Sequence, residues 1–180
     1  EESSTLAKGS DVFVPIYAGT EATVSVKTYS NMLAVNLMVA TQLCGQDVEQ
    51  IRGEMLACAK AITEYLQDWD SHLVKLDHML GRVDNLIFLG RGSSMAAVWN
   101  GALISKEAAK CAFEGLHAAE FRHGPLELAE PDFKAMIFGG TQPTWQNNRD
   151  LAKDVIRYGG EVIWVDREED QQMKTFLLPD

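Results

Sequence analysis

Short apolar runs alternate with longer helical stretches along most of this chain, and that alternation restricts the folds it can adopt. The runs have few charged residues, as expected of strands that are buried on both faces of a sheet. They lie at residues 11–16, 85–89, 135–138, 162–165 and 176–178. Because segments of helical length separate them, we predict an α/β fold with a parallel sheet covered by helices on both faces.

The helical stretches are marked by their apolar spacing and by the glycines that follow them. Residues 29–43 are apolar nearly all round, which predicts a buried helix that ends at Gly45. Four more helices are expected: Val48 to Trp69, Asp70 or Ser71 to Gly81, Ser93 or Ser94 to about Cys111, and Asn148 to Tyr158.

The order of these elements also predicts how the chain is divided. Residues 1–47 contain one strand and one helix, which are too few to form a domain, so we expect them to be the end of a first α/β unit. Residues 48–81 are expected to form a helical linker. Residues 82–180 carry a fuller strand–helix series that stops at the start of a strand, so this second unit is expected to be incomplete and the chain to be part of a longer polypeptide.

Charge and composition exclude several classes of partner. The net charge of −10 disfavours binding to nucleic acid, whose phosphates are also negative. No apolar run approaches the roughly 20 residues of a membrane-spanning helix, and the opening Glu-Glu-Ser-Ser is not a signal peptide. The three cysteines are scattered, which is typical of reduced thiols in the cytoplasm. We therefore expect a cytoplasmic protein that binds neither nucleic acid nor membrane.

The turn that follows the strand at residues 85–89 is the first candidate binding site. It reads Gly90-Arg91-Gly92-Ser93-Ser94. In open parallel sheets, ligands bind beyond the carboxyl ends of the strands, and glycines and free helical N–H groups allow a close approach there. The pattern is neither a dinucleotide fingerprint nor a P-loop, and a tight turn with a serine cap would account for it equally well.

A carboxylate and an imidazole follow this turn, at Glu107 and His123. Together they suit proton transfer on a small anionic substrate. Asn100 lies about two helical turns before Glu107 on roughly the same face, so it can help to hold that substrate. The ordinary alternatives are an exposed helical glutamate and a structural histidine in a turn.

A metal site is a rival interpretation of the same segment. Glu114 to His117 and Glu120 to His123 are both Glu-x-x-His, the spacing of carboxylate di-metal sites in four-helix bundles. Such a site needs each motif on its own long helix and two further glutamates. These motifs are adjacent in a chain that alternates strand and helix, so we do not expect a metal.

Three segments of the chain together resemble the sugar isomerase (SIS) domain family. They are residues 90–94, residues 100–107 (NGALISKE) and residues 119–126 (AEFRHGPL), with His123 sixteen positions after Glu107. Residues 11–29 also resemble the last strand and helix of the first SIS domain in this family. The resemblance covers nearly the whole chain and includes both the aminotransferase branch of the family and its stand-alone isomerases, deaminases and deglycases.

The resemblance implies a fold, an assembly and a chemistry. The fold is two flavodoxin-like SIS units, assembled as a homodimer. Glu107 moves a proton between C1 and C2 of an open-chain phosphosugar, while His123 opens the sugar ring from the partner subunit. Residues 90–94, Asn100 and Ser25 hold the substrate, and no metal or redox cofactor is required.

The chain also departs from the family pattern in ways that leave an alternative open. Ile104 replaces a family lysine, and the stretch after Glu21 is one residue shorter, which blurs the match of Ser25. The family's phosphate loop and its Schiff-base lysine lie outside these residues. A stand-alone isomerase, deaminase or deglycase is therefore expected rather than the full amide transferase, and the alternative is a non-catalytic module that binds or senses sugar phosphates.

Overall fold

A computed structural model describes residues 2–179 of the chain. The chain forms two compact units, and the division falls after Thr63, within a helix. The first unit contains α1 (Thr5–Lys8), α2 (Lys27–Leu43) and most of α3 (Val48–Tyr65). The helix predicted at residues 29–43 is thus confirmed, and Gly45 follows its end with a positive φ of 66°.

Two expectations for the first unit are wrong. The apolar run at residues 11–16 does not form a strand, and Val12 is 77% exposed. A strand needs a neighbouring strand to bind its backbone N–H and C=O groups, and no other strand exists in the described part of this unit. Helix α2 is not buried either: Thr41 is its one buried residue, while Met32, Leu33 and Leu37 are exposed.

The second unit is built on a five-stranded parallel sheet. Its strands are β1 (Ile87–Gly90), β2 (Glu114–His117), β3 (Lys134–Phe138), β4 (Glu161–Asp166) and β5 (Lys174–Leu177). Their order across the sheet is β2-β1-β3-β4-β5, and every neighbouring pair is parallel. This is the flavodoxin-like order of a doubly wound sheet, so the predicted α/β class is confirmed.

Helices cover both faces of this sheet. They are α4 (Trp69–Leu80), α5 (Met95–Glu107), α6 (Ala118–Phe121) and α7 (Trp145–Tyr158). Short 3-10 turns lie at Leu66–Asp68, Gly92–Ser94 and Pro125–Leu128. One core, formed by α6 and α7, contains Phe121, Leu151 and Trp164. The other core, formed by α4 and α5, contains Phe88 and Val98. Each fully buried apolar side chain stabilises the unit by roughly 1.5–3 kcal/mol.

The boundaries of several helices differ from the predictions. Helix α3 ends at Tyr65, and α4 begins at Trp69 rather than at Asp70 or Ser71. Helix α5 ends at Glu107 rather than near Cys111. Gly81 and Gly159 do end α4 and α7, each with a positive φ.

The strand β2 was not predicted at all. Its sequence, Glu-Gly-Leu-His, is only half apolar, and it lies at the edge of the sheet. An edge strand is paired on one side alone, so it does not need the continuous apolar run that marks a central parallel strand.

No helix within residues 2–179 is long and apolar enough to span a membrane.

Candidate functional site

The carboxyl ends of β1 and β3 meet at the topological switch point of the sheet. From β1, the chain passes first to β2 on one side and then to β3 on the other, and this arrangement opens a crevice between the loops that follow β1 and β3. Those loops are residues 90–94 and residues 139–144. A methyl group built on Gly140 would lie 3.5 Å from Ser94 Oγ, and one built on Gly92 would lie 3.9 Å from Thr144. The two loops are therefore the walls of one crevice.

The first wall is closed by Ser94. Its Oγ accepts a hydrogen bond from the Arg91 N–H at 3.1 Å and donates to the Arg91 carbonyl at 2.8 Å. Ser94 therefore closes the turn and does not cap α5 with its side chain, which corrects the predicted helix cap. A side chain at Gly90 would lie 2.6 Å from Ser94 Oγ, so only glycine fits there. Ser93 is exposed on the same turn.

The second wall, residues 139–144, was missed by sequence reasoning. Thr144 Oγ1 donates to the Thr141 carbonyl at 2.9 Å, and α7 begins at the next residue. Gly140 has a φ of 74°. The signal in the sequence was a Gly-Gly pair with nearby threonines directly after an apolar run, in the same position as the Gly-x-Gly turn after β1.

Two polar side chains beneath these loops are incompletely paired. Asn148 is fully buried, and its Nδ2 donates to the carbonyls of Phe138 and Gly139 at 3.0 Å each, while its Oδ1 has no partner. The buried Nε of Arg91 has none either. Burial and, to a lesser degree, the neighbouring charge of Arg122 lower the pKa of Arg91 from its ordinary value.

Glu107 does not lie at this crevice. It is the last residue of α5, which begins beside the crevice at Met95 and runs back along the sheet. A thirteen-residue helix with a rise of 1.5 Å per residue separates its two ends by roughly 18 Å. Glu107 is exposed. Asn100 is half-buried midway along the same helix.

His123 lies on the other face of the sheet. It is exposed just after α6, and its N–H donates to the Glu120 carbonyl at 2.9 Å. Helix α6 packs into the core shared with α7, whereas α5 packs into the core shared with α4. Within this unit, Glu107 and His123 therefore lie on opposite faces of the sheet and are not brought together.

Ser25 belongs to the first unit and lies just before α2, whose N-terminus is capped by the Glu21 carboxylate. Its Oγ donates to the Glu21 carboxylate at 2.6 Å. That carboxylate also accepts backbone N–H groups at the start of α2, from Val26 at 2.7 Å and from Thr28 at 3.0 Å. These hydrogen bonds, with Ser25 the largest contributor, lower the pKa of Glu21 to about 2.

The Glu-x-x-His pattern does not have the helical setting that a bundle metal site needs. Glu114 and His117 lie on β2, where residues three apart point to opposite faces. His117 Nδ1 accepts the Ala119 N–H at 3.1 Å and so caps α6, which is only four residues long.

The strand order and the crevice together define the second unit as a flavodoxin-like doubly wound α/β unit. No profile of a known protein family matches the chain. Over 98% of its length, however, it is 27% identical to glutamine–fructose-6-phosphate aminotransferase (isomerizing) from Agrobacterium fabrum, and it covers 31% of that protein. The chain thus spans less than a third of that curated relative.

Two solved structures share the fold. The C-terminal domain of glucosamine-fructose-6-phosphate aminotransferase from Francisella tularensis matches with a TM-score of 0.78 and 20% identity, over 98% of this chain and 53% of that one. Tagatose-6-phosphate ketose/aldose isomerase from Escherichia coli matches with a TM-score of 0.76 and 22% identity, over 99% and 51%. Sequence and fold together confirm the resemblance to the SIS family.

Proposed function

We propose that this chain is part of a phosphosugar isomerase of the SIS type. The observation that carries the proposal is the similarity of nearly the whole chain to proteins whose names specify isomerisation of sugar phosphates. Within the chain, Glu107 and His123 are the groups suited to that chemistry. A deaminase or a deglycase would use the same proton transfer on an amino sugar, so both are included in this class.

The proposed reaction needs one carboxylate and one imidazole. Glu107 removes a proton from C1 or C2 of the open-chain sugar and returns it to the neighbouring carbon, through an enediol. His123 transfers a proton between the ring oxygen and O1 to open the ring. Asn100, on the same helix as Glu107, is proposed to help hold this sugar, while binding roles for residues 90–94 and for Ser25 stay predictions of the family resemblance. The chemistry is proton transfer alone, so it requires no metal or redox cofactor.

The positions of Glu107 and His123 favour a homodimer. They lie on opposite faces of one sheet, and both are exposed. A copy that contributes His123 to the Glu107 site of its partner would unite the two groups, and the contact would also bury Glu107.

A second candidate is a non-catalytic module that binds sugar phosphates. The replacement of the family lysine by Ile104 favours it, because a polar contact to the sugar is lost. A sensor needs the crevice but needs neither Glu107 nor His123.

Exchange of the transferred proton with solvent, at C2 of an aldose phosphate and at C1 of a ketose phosphate, tests the proposal and separates the two candidates. The intact protein is incubated with fructose 6-phosphate or glucose 6-phosphate in D₂O. Glu107→Gln keeps the shape of the side chain and removes the base, so exchange should fall by about 10²- to 10⁴-fold. Glu169→Gln, at another exposed glutamate, is the matched control. Binding without exchange in the wild type would favour the sensor, and equal exchange in wild type and Glu107→Gln would refute the role of Glu107.

A further inference from the structure

His123 lies just beyond a helix of a single turn. Helix α6 has four residues, Ala118–Phe121, and so short a helix gains little from its own hydrogen bonds. The residue after His123, Gly124, has a φ of 127°, a region that favours glycine and allows the chain to turn there. The position of His123 therefore depends on the contacts that its neighbours make.

The first of these contacts is made at the start of α6, by His117. Its Nδ1 accepts the Ala119 N–H at 3.1 Å, which a neutral imidazole does only with its proton on Nε2. The Ala119 carbonyl in turn accepts the Arg122 N–H at 3.2 Å. The Glu120 carbonyl accepts the His123 N–H at 2.9 Å. The side chain that caps α6 is thus connected to the backbone of His123 through one turn of hydrogen bonds.

The second contact is made at the end of α6, by Arg122. Its guanidinium pairs with the Asp154 carboxylate on α7 at 2.5 Å, and the two side chains are only 32% and 20% exposed. The other oxygen of this carboxylate pairs with Arg157 at 2.9 Å, so each arginine has an oxygen of its own. Helix α7 is a firm support, because Val155, next to Asp154, is fully buried in the core. Asp154 therefore joins the turn that carries His123 to a fixed helix.

The packing of the core does not by itself account for these two contacts. Ala118 and Phe121 are fully buried and hold α6 against the sheet, and neither of them needs a polar partner. His117 and Asp154 are partly exposed at the margin of that core. Both act on the segment of chain that leads to His123, whose position ring opening requires.

We propose that His117 and Asp154 are positioning residues that hold the backbone of His123 in place for ring opening. His117 acts from the start of α6 and Asp154 acts from its end, through Arg122. Neither residue needs to touch the sugar. The role of His123 in this inference rests on the proposed function, whereas the two contacts belong to the fold.

Hydrogen exchange of the His123 N–H, followed by NMR in D₂O, tests the contact made by His117. His117→Leu removes the acceptor, so this exchange should become at least about fivefold faster, as the usual cost of a lost cap implies. His117→Asn should restore the wild-type rate, because asparagine is among the preferred caps. His78→Leu, at an exposed histidine of α4, is the matched control. Equal rates in wild type and His117→Leu would refute the contact.

Asp154→Asn tests the second contact in the same way. It removes the charge that holds Arg122, so the His123 N–H should again exchange faster. Asp150→Asn is the matched control, because Asp150 lies one turn earlier on α7, is exposed and accepts only from Gln146 at 2.8 Å among the printed side-chain bonds of α7. This second variant also carries the test if His117→Leu does not fold. An unchanged rate in Asp154→Asn would refute the role of Asp154.

A comparison of two sugars separates positioning from a general loss of stability. Fructose 6-phosphate has to open its ring, whereas 5-deoxyfructose 6-phosphate lacks the hydroxyl that closes the ring and is always open. In His117→Leu and Asp154→Asn, kcat/KM for C1 proton exchange should fall at least roughly fivefold with the first sugar and stay unchanged with the second. His117→Asn should recover the activity with fructose 6-phosphate.

The outcomes distinguish this inference from the proposed function. Equal losses of kcat/KM with both sugars would overturn the positioning role and leave the isomerase standing. A wild type that exchanges the C1 proton of neither sugar would refute the proposed function. In that case the rate of the His123 N–H still decides whether His117 and Asp154 hold the backbone of His123.

Discussion

The indole Nε1 of Trp145 donates a hydrogen bond of 2.6 Å to the Asp166 carboxylate. The Nε1 of Trp164 donates to the same oxygen at 3.0 Å, while the other oxygen accepts the Arg167 N–H at 2.7 Å. This carboxylate therefore joins the first residue of α7 to the last residue of β4. Gly139 lies directly against it, because a side chain there would come within 2.5 Å of the carboxylate. These hydrogen bonds to Asp166, referred to below as the Asp166 clamp, thus help to hold residues 139–144 in place.

Asp166→Asn should destabilise the second unit by roughly 1–3 kcal/mol, because an amide has one acceptor oxygen and leaves an indole or a backbone N–H unpaired. The four tryptophans all lie between Trp69 and Trp164, so their fluorescence during urea unfolding reports this unit. Glu161→Gln, at the other end of β4, is the control, since the Glu161 side chain is 49% exposed and its ion pairs, at 3.3 Å to Lys174 and 3.9 Å to Lys134, should contribute less than about 1 kcal/mol. Equal losses of unfolding free energy in the two variants would contradict a stabilising role for the Asp166 clamp.

Two glycines around α5 should respond to alanine with opposite signs. A side chain at Gly115 would lie 2.9 Å from the Val98 carbonyl and 3.2 Å from Ala102, so Gly115→Ala should cost about 1–3 kcal/mol through overpacking. Gly101 lies within α5, and its methyl would make an ordinary 3.5 Å contact with Phe88. Gly101→Ala should stabilise the unit by roughly 0.5–1 kcal/mol through helix propensity. Urea midpoints that shift in the same direction for both would refute this packing.

The cap of α2 should keep its charge in acid. The pKa of Glu21 is about 2, against 4.5 for a free glutamate, so the stabilisation it gives is complete above pH 4.5 and is lost as the pH falls through 2. Ser25→Ala should raise this pKa, since Ser25 is the largest contributor to the shift. Ser30→Ala is the control and should leave the pKa of Glu21 unchanged, because the Ser30 hydroxyl donates to the Val26 carbonyl and not to Glu21. An NMR titration of the Glu21 carboxyl checks both, and a wild-type midpoint near 4.5 would contradict the cap.

The central strands of the second unit could be predicted because strands that are buried on both faces have mostly apolar sequences. The runs at residues 85–89, 135–138 and 162–165 are apolar apart from Asn85, since β1, β3 and β4 are covered on both faces and paired on both sides. The edge strand β2 could not be predicted in this way, because two of its four residues, Glu114 and His117, are polar. Residues 11–16 were predicted as a strand and do not form one. Apolar composition indicates a strand only where a neighbouring strand can pair with its backbone.

Half of the crevice could be predicted, for a similar reason. The Gly90–Ser94 turn can be predicted from the local sequence, because glycines and serines directly follow an apolar run. Its contact with Gly140 and Thr144 is long-range and follows from the strand order, which no local pattern encodes. The spacing between Glu107 and His123 also does not predict on which face of the sheet each residue lies. The strand β2 lies between them in the chain, and the chain crosses from one face of the sheet to the other there.

The separation of Glu107 from His123 has a genetic consequence. If one catalytic site takes its carboxylate from one copy and its imidazole from another, two different inactive alleles can rescue each other. Co-expression of Glu107→Gln chains with His123→Asn chains would give mixed dimers in which one site is doubly defective and the other is intact. About a quarter of the wild-type activity should return from random pairing, and none should return if each copy works alone.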